Sequence, residues 1–251
     1  MKLTLTTAER RLRDILVAAA NTWPRQPNQT EQLIVRFAGG WVRDKLLSHD
    51  SADIDVALNI ATGVQFASHL VSYLSSQSNT ATTTEPTTPL KFNTISRNVE
   101  QSKHLETATA HFLGLYLDFV NLRSEEYAES SRIPETMQFG TAKQDAERRD
   151  LTINSLFYNL HSDSVEDWTG MGVEDIRKGV IRTPLEPMTT FTDDPLRVLR
   201  AVRFAARYKF EMTREVKEAI MDERVKVSSP HEQRLILGTI EKECHYPSKS
   251  G

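Results

Sequence analysis

The chain contains the stretch RFAGGWVRD at residues 36–44, followed by DIDVAL at residues 53–58. We expect the rest of the fold to be organised around these two segments. The apolar residues leading into the first stretch predict a strand over residues 33–38, after which two glycines open a helix. Unpaired amides at a helix N-terminus attract anions, and glycine lets an anion approach the main chain closely. Gly39 and Gly40 therefore predict a phosphate site, although two adjacent glycines on their own are more often an ordinary turn.

The second stretch predicts a short strand in which successive side chains point to opposite faces. Asp53 and Asp55 then share one face, while Ile54, Val56 and Leu58 face the core. Neighbouring carboxylates repel each other, and a hard divalent cation such as Mg²⁺ relieves that repulsion. The pair therefore predicts a metal site, although two solvated aspartates without a metal fit the same pattern.

Composition limits the classes of protein to which the chain can belong. Its 251 residues contain 31 Lys and Arg against 34 Asp and Glu, a net charge of −3, so a polyanion site must be a local cluster. A single cysteine, Cys244, excludes an internal disulfide and fits a reducing compartment. Because no apolar run approaches the roughly 18 residues of a membrane span, we expect no membrane partner. Residues 1–10 lack the apolar core of a secretion signal, so the expected location is cytoplasmic.

The flanking segments predict helices and an insertion. Residues 7–21 predict an amphipathic helix capped by Thr6 or Thr7, and residues 63–74 predict a second helix that packs on the sheet. Residues 75–89 are rich in Ser, Thr, Asn and Pro. They predict a mobile insertion, with either a functional role or that of a tolerated surface loop.

A third acidic residue lies in an apolar context. Residues 113–122 predict a buried strand that contains Asp118, and a buried carboxylate is costly unless it is paired or bound to metal. Asp118 is then either a third acidic group beside Asp53 and Asp55, or it is held by Arg123 or a backbone amide.

Residues 145–160 fit a helix whose first turn carries Arg148 and Arg149. Arginine presents several fixed donors to phosphate, while Asp150 and Asn154 can form hydrogen bonds with sugar hydroxyls. Such a triplet of two arginines and an aspartate is, by itself, usually a solvated helix start.

Residues 192–207 predict another helix, with Asp194 as its cap and Pro195 as its first residue. Apolar residues, including Ala206, fall on one side. The other side is a stripe of arginines: Arg197, Arg200, Arg203 and Arg207. Asp194 and Arg197 share the helix mouth and can face one flat ligand together, although a simple cap above a solvated arginine face fits the same pattern.

Four of these runs, at residues 36–58, 118–123, 148–159 and 192–207, together resemble a known family. The chain is similar to the class II tRNA nucleotidyltransferases (CCA-adding enzymes) of eukaryotic type and to their relatives, the bacterial-type poly(A) polymerases. The resemblance implies an α+β fold: a nucleotidyltransferase (polymerase-beta-like) head with a small mixed sheet at residues 1–185. A helical neck at residues 186–251 follows, incomplete relative to the family.

The resemblance also implies a reaction, the template-independent addition of C and A from CTP and ATP to the 3′ end of tRNA. Asp53 and Asp55 would hold Mg²⁺, and Asp118 is the third catalytic candidate. In the family, the equivalent of Asp150 reads the ribose, and the equivalents of Asp194 and Arg197 read the base. The residues implied to bind nucleotide are Gly39, Gly40, Arg43, Arg148, Arg149, Asp150, Asn154, Asp194, Arg197, Arg200 and Arg203.

Three other functions fit the same residues. Two are enzymes with shared signatures, a poly(A) polymerase and a tRNA nucleotidyltransferase restricted to C-C or to A addition. The third is a catalytically inactive remnant that binds nucleotide or RNA, an interpretation motivated by the shortened helical part. The sequence leaves open the oligomeric state and a mitochondrial or nuclear form.

Overall fold

A computed structural model of the chain describes residues 1–25, 30–78, 91–95, 107–126 and 136–225. The chain divides into two compact units that alternate along the sequence. Unit 1 consists of Met1–Ser124, Met137–Asp145 and Leu156–Glu166, and unit 2 of Glu125–Thr136, Ala146–Ser155 and Asp167–Gly251. The domain boundary expected after residue 185 stays a prediction.

The helices and strands follow one another in a mixed order. The helices are α1 (Thr7–Asn21), α2 (Gly40–Leu46), α3 (Gly63–Ser78), α4 (Ala142–Glu147), α5 (Gly172–Lys178), α6 (Pro187–Asp193), α7 (Leu196–Tyr208) and α8 (Arg214–Ile220). The strands are β1 (Val35–Ala38), β2 (Asp53–Leu58), β3 (Lys91–Ile95), β4 (Thr107–Phe112), β5 (Leu115–Asn121), β6 (Arg123–Glu126), β7 (Thr136–Phe139), β8 (Phe157–Asn159), β9 (Ser164–Glu166), β10 (Val180–Ile181) and β11 (Glu211–Met212).

Seven of the described strands form one sheet in the order β3-β4-β5-β2-β1-β8-β9. Strands β2 and β5 run parallel, and every other neighbouring pair is antiparallel. The parallel pair needs a long connection, which includes α3, because strands that run in the same direction cannot be joined by a tight turn. The mixed sheet and the α+β class are as expected.

One face of this sheet forms the core of unit 1. Phe37, Val56 and Phe119 are fully buried there, and α3 packs against β4 and β5. Helix α3 approaches so closely that a Cβ added to Gly63 would lie 2.0 Å from the carbonyl oxygen of Phe119. Only glycine can therefore begin this helix.

Helix α1 has the predicted bounds and the predicted cap. The Thr6 hydroxyl accepts a hydrogen bond from the Glu9 N–H at 3.2 Å, while the Thr6 N–H donates to Glu9 Oε2 at 2.7 Å. This reciprocal capping box satisfies two amides that would otherwise lack partners at the helix start.

The single helix expected over residues 145–160 is wrong. Helix α4 ends at Glu147, a 3₁₀ turn covers Thr152–Asn154, and the chain then enters β8. The apolar residues of this run are buried, as predicted, but their spacing also suits a turn followed by a strand. Strand β8 pairs with β1, Phe157 opposite Ala38, so the sheet supplies the backbone partners that a helix would have supplied itself.

Two further predictions need correction. Helix α3 continues to Ser78, past the expected start of the insertion at residue 75, and the remainder of that insertion lies outside the described residues. Strand β5 is buried on one face only, because its residues alternate and Asp118 lies on the exposed face. The expected strand buried on both faces is therefore wrong.

Unit 2 contains α5 to α8, and β10 pairs with β11 in parallel. Helix α6 contacts both α7 and α8, and Phe191, Val198 and Val216 are fully buried. Helix α6 was not predicted. On α7, Phe204 is buried. Ala206 is exposed, whereas helical spacing had predicted that it lies on the apolar side. No helix in the described ranges has both the length and the apolar character to cross a membrane.

Candidate active site

The glycine turn connects β1 to α2. Gly39 adopts φ 64° and ψ −121°, a conformation that side chains other than hydrogen rarely allow. Its N–H donates to the carbonyl oxygen of Leu156 at 2.8 Å, which fixes the turn against the residue that precedes β8. Gly40 then begins α2. The sequence therefore needs glycine at position 39 for the backbone conformation alone, independently of any ligand.

Arg43 lies against this turn. A Cβ added to Gly40 would stand 3.5 Å from Nη2 of Arg43, so the guanidinium packs next to the glycine backbone. The Arg43 side chain is buried, and Nη2 lies 2.8 Å from Oδ1 of Asp44. The carboxylate of Asp44 therefore orients Arg43, which is one of the residues predicted to bind phosphate.

Three carboxylates share the exposed face of the sheet. Asp53 and Asp55 are exposed on β2, whereas Ile54 and Val56 between and after them are buried, as the alternation predicted. Asp55 is opposite Ala38, the last residue before the glycine turn, and it is also opposite Asp118 on the parallel strand β5. Opposite residues of paired strands point to the same face. Asp118 therefore lies with the aspartate pair.

The charge on Asp118 is unfavourable in this position. Partial loss of hydration raises the pKa of the Asp118 carboxyl even though the residue as a whole is exposed, and the negative charge of Asp53 raises it further. Asp118 is opposite Asp55 on the neighbouring strand, and the charge of Asp53 acts on its carboxyl. Of the interpretations left open by the sequence, these two observations favour a third acidic group beside the pair.

This donor set fits a hard divalent cation. Carboxylate oxygens are the ligands that Mg²⁺ prefers, and repulsion between Asp53 and Asp118 would fall when a cation binds. No group of three or more His, Cys, Asp or Glu side chains in the described ranges has the geometry to hold a metal alone. Mg²⁺ does not require one, because it is usually bound through one or two carboxylates, water and substrate phosphates.

Unit 2 brings together a second set of predicted residues around Asp150, which is only 6% exposed. Asp150 Oδ1 accepts hydrogen bonds from the Leu151 N–H at 2.9 Å and from Asn154 Nδ2 at 3.1 Å. Asp150 Oδ2 accepts from Nε of Arg200 at 2.6 Å. The turn after α4 is thereby bonded to the second turn of α7, fifty residues later.

The two arginines before Asp150 lie in that turn and not in a helix. Arg149 donates from Nη1 to the carbonyl oxygen of Asn154 at 3.1 Å and so closes the turn around Asp150. Arg148 lies at the first position after α4. Of the predicted triplet, Asp150 and Arg149 therefore have defined structural partners within unit 2.

The mouth of α7 differs from the prediction, because the helix begins at Leu196 and its N-cap is Pro195, not Asp194. Asp194 Oδ1 accepts from the Leu196 N–H at 3.0 Å. Arg197, expected on the exposed stripe, is only 9% exposed. Burial raises the pKa of the Asp193 carboxyl, and the positive charge of Arg197 opposes the shift, so Arg197 lies close enough to Asp193 to affect it.

The remaining arginines of α7 are exposed and lie over aromatic rings. The guanidinium carbon of Arg203 lies 5.2 Å from the ring centre of Phe204, and that of Arg207 lies 5.3 Å from the ring centre of Tyr208. Such contacts hold a planar cation in place while leaving its edge accessible to solvent. This part of the predicted stripe is confirmed as exposed.

Sequence reasoning missed an aromatic pair beside the carboxylates. Tyr116 is opposite Asp53 on the same face, it is 59% exposed, and its ring centre lies 4.7 Å from that of His111. The alternation of side chains along β5 would have predicted Tyr116 on the same face as Asp118, because the two residues are two positions apart. No local sequence pattern predicts the bond between Arg200 and Asp150.

Comparison with known proteins gives consistent matches. Residues 35–182 match the family model of the Poly A polymerase head domain. The mitochondrial CCA tRNA nucleotidyltransferase of Saccharomyces cerevisiae is 46% identical over 228 residues, which cover 90% of this chain and 41% of that protein.

Solved structures resemble the chain as well. A CCA-adding enzyme in its apo form II has a TM-score of 0.69 at 26% identity, covering 96% of this chain and 51% of that one. A CCA-adding enzyme in complex with ATP has a TM-score of 0.64 at 25% identity, covering 95% and 49%. The chain thus spans about half, or less, of the length of these relatives.

Proposed function

The chain belongs to the family of the Poly A polymerase head domain, and from that membership we propose that it adds C and A nucleotides, taken from CTP and ATP, to the 3′ end of tRNA. The names of the yeast relative and of the CCA-adding enzymes support this substrate. The observation that carries the proposal is the carboxylate pair Asp53 and Asp55, exposed on the strand next to the glycine turn.

The residues of unit 1 would bind the reacting groups. Asp53 and Asp55 would hold Mg²⁺, with Asp118 as a third carboxylate beside them. When bound, Mg²⁺ neutralises charge on the triphosphate and favours loss of the proton from the RNA 3′-hydroxyl. The backbone amides at Gly39 and Gly40 and the guanidinium of Arg43 would receive phosphate oxygens.

The residues of unit 2 would select the nucleotide. Arg148 and Arg149 would contact phosphate, and Asp150 with Asn154 would bind the sugar. Asp194 and Arg197 would present acceptors and donors to the edge of the base. The buried position of Arg197 supports this role, because a guanidinium held out of water gives stronger and more directional hydrogen bonds.

The direct test is incubation of the full chain with labelled CTP or ATP, Mg²⁺ and tRNA that lacks its 3′ end. We expect C-C-A addition by the wild-type chain and a loss of about a thousandfold or more in Asp53→Ala and Asp55→Ala, as for removal of a catalytic group. Asp50→Asn is the matched control, because the Asp50 side chain is almost fully exposed outside β2.

The products separate the related functions. Long A tracts would indicate a poly(A) polymerase, and products that stop after C-C or after A would indicate a restricted enzyme. ATP binding by calorimetry without turnover would indicate a catalytically inactive remnant and would overturn the proposal. Variants Asp53→Ala and Asp55→Ala that extend tRNA as well as the wild-type chain would overturn the assignment of the site.

The compartment belongs to the same proposal. A mitochondrial form is supported by the name of the yeast relative, alongside the cytoplasmic location expected from the sequence.

A further inference from the structure

The exposed face of the large sheet carries an aromatic side chain directly beside the carboxylates. The register of three neighbouring strands aligns Asp53 on β2, Tyr116 on β5 and His111 on β4. Opposite residues of paired strands have Cβ atoms about 5 Å apart and point to the same face. The Tyr116 N–H donates to the carbonyl oxygen of Ala52 at 2.8 Å, which fixes its backbone against the start of β2. The position of the Tyr116 ring relative to Asp53 is therefore set by the sheet itself.

We propose that the last base of the RNA primer stacks on the ring of Tyr116 while the 3′-hydroxyl of the same nucleotide is activated at the carboxylates. The primer is the tRNA whose 3′ end is extended, so the inference rests on the proposed function. Tyr116 is not among the residues proposed above to bind the metal or the incoming nucleotide. The inference therefore adds a residue that binds the second substrate.

The place of Tyr116 selects the base of the primer as its ligand. Under the proposed function, the 3′-hydroxyl of the primer is brought to the metal at Asp53 and Asp55. The base and the hydroxyl belong to one sugar, so the base comes within reach of a side chain next to Asp53. The base of the incoming nucleotide is already assigned to Asp194 and Arg197, whereas the last base of the primer has no other assigned partner.

An aromatic ring also suits this place chemically. An arginine or lysine beside Asp53 would pair with its carboxylate and would compete with the divalent cation for it. A ring stacks on a base without neutralising the carboxylates. Stacking accepts every base, because each base has a π face. The base at the end of the primer changes as nucleotides are added, and a ring that does not read base edges serves each step.

Two further observations support the assignment. The ring centres of Tyr116 and His111 lie 4.7 Å apart with their planes inclined by 49°. This contact limits the orientations of the exposed Tyr116 ring, so less conformational entropy is lost when a base stacks on it. Four large apolar side chains are exposed in the described part of unit 1, namely Met1, Val71, Tyr116 and Phe139, and among these only Tyr116 belongs to a strand that pairs with β2.

The test compares two primers in single addition of A by the full chain. One is tRNA that ends in C-C, and the other is the same tRNA with a last nucleotide that lacks its base but keeps its 3′-hydroxyl. The readout is kcat/KM for each RNA at saturating ATP and Mg²⁺. In Tyr116→Ala we expect a loss of roughly five- to a hundredfold on the complete primer, the contribution of one stacked base. On the primer without the base, and for the KM of ATP, we expect values within about threefold of the wild-type chain.

Conservative and matched variants complete the design. Tyr116→Phe keeps the ring and should behave as the wild-type chain does on both primers. Phe139→Ala removes an exposed ring of unit 1 on β7, outside the large sheet, and should change neither value. Tyr116→Thr removes the ring but keeps a residue that favours strands, and it replaces Tyr116→Ala if that variant fails to fold.

Three results would overturn the inference. The first is an equal loss on both primers in Tyr116→Ala, which would indicate a structural effect. The second is a raised KM for ATP with an unchanged kcat/KM for the complete RNA. The third is a loss in Tyr116→Phe as large as that in Tyr116→Ala, which would assign the effect to the hydroxyl. If the wild-type chain adds no nucleotide, the proposed function fails, and the Kd values of the two RNAs for the wild-type chain and Tyr116→Ala decide the inference by the same criterion.

Discussion

At the scale of single residues, the negative charge on Asp118 lowers the stability of the folded chain. Its pKa is raised by loss of hydration and by Asp53. Above the ordinary value of 3.8, the folded chain therefore holds this proton more tightly than the unfolded chain does. The free energy of unfolding then falls as pH rises from 3.8 through the raised folded pKa, and stays lower above it.

Asp118→Asn should remove this pH-dependent cost. In urea unfolding without divalent ions, we expect the variant to gain stability relative to the wild-type chain as pH rises through that window, with the gain constant at higher pH. Asp50→Asn, at an almost fully exposed position, should show no such trend. A stability difference between Asp118→Asn and wild type that does not change from pH 3.5 to 7 would contradict the inferred cost of charge.

Some of the single residues that form the site could be predicted from the sequence, and others could not. Asp53, Asp55 and the conformation of Gly39 follow from local alternation and from a turn that requires glycine, so they were predictable. The position of Asp118 opposite Asp55 was not predictable, because the register of β5 against β2 joins residues more than sixty positions apart. The burial of Arg197 was likewise beyond helical periodicity, since it depends on what covers that side of α7.

At the scale of elements, α1 lies before the residues that match the family model, yet it is bonded to α2, the helix that begins at the glycine turn. Glu9 of α1 is 2% exposed. Its Oε1 accepts from Nε1 of Trp41 at 3.1 Å and lies 2.9 Å from Nζ of Lys45. Two residues of α2 therefore depend on one buried carboxylate.

Glu9→Ala should destabilise the chain strongly. The change leaves the Lys45 ammonium with Asp50 at 3.8 Å and removes the acceptor for the Trp41 indole, and breaking a buried pair in this way costs about 3–5 kcal/mol. Glu9→Gln keeps an acceptor for Trp41 and should cost less. The control is Glu218→Ala, which removes an exposed ion pair with Arg214 and should leave the stability almost unchanged, because solvent screens the pair. Equal urea midpoints for the Glu9 and Glu218 variants would contradict the coupling of α1 to α2.

Elements were predictable where local signals agreed with tertiary packing. The bounds of α1 and β2 match the predicted ranges because capping, periodicity and burial all point to the same structure. The prediction for residues 145–160 was wrong because their apolar spacing suits both a helix and a turn followed by a strand. The pairing of β8 with β1 stabilises the second structure. A single sequence contains no record of that pairing.

At the scale of the whole molecule, the two units do not correspond to two consecutive halves of the chain. Unit 1 ends at Glu166, whereas unit 2 combines Ala146–Ser155 with the residues from Asp167 onward. Within unit 2, β10 at residues 180–181 pairs with β11 at residues 211–212, and Asp150 is bonded to Arg200. Early and late segments of the chain therefore complete each other inside this unit.

A fragment of residues 1–185 should consequently keep unit 1 folded and lose unit 2. The fragment contains every residue of unit 1, but it lacks β11, Arg200 and the buried side chains of Phe191, Val198 and Val216. Limited digestion with trypsin should cut it rapidly after Arg177, Lys178 and Arg182, while the buried Arg36 and Arg43 stay protected; in the full chain all five sites should be cut slowly. Equal resistance of fragment and full chain would show that residues 146–185 fold without α7, and would favour a boundary after residue 185 over a unit that depends on both segments.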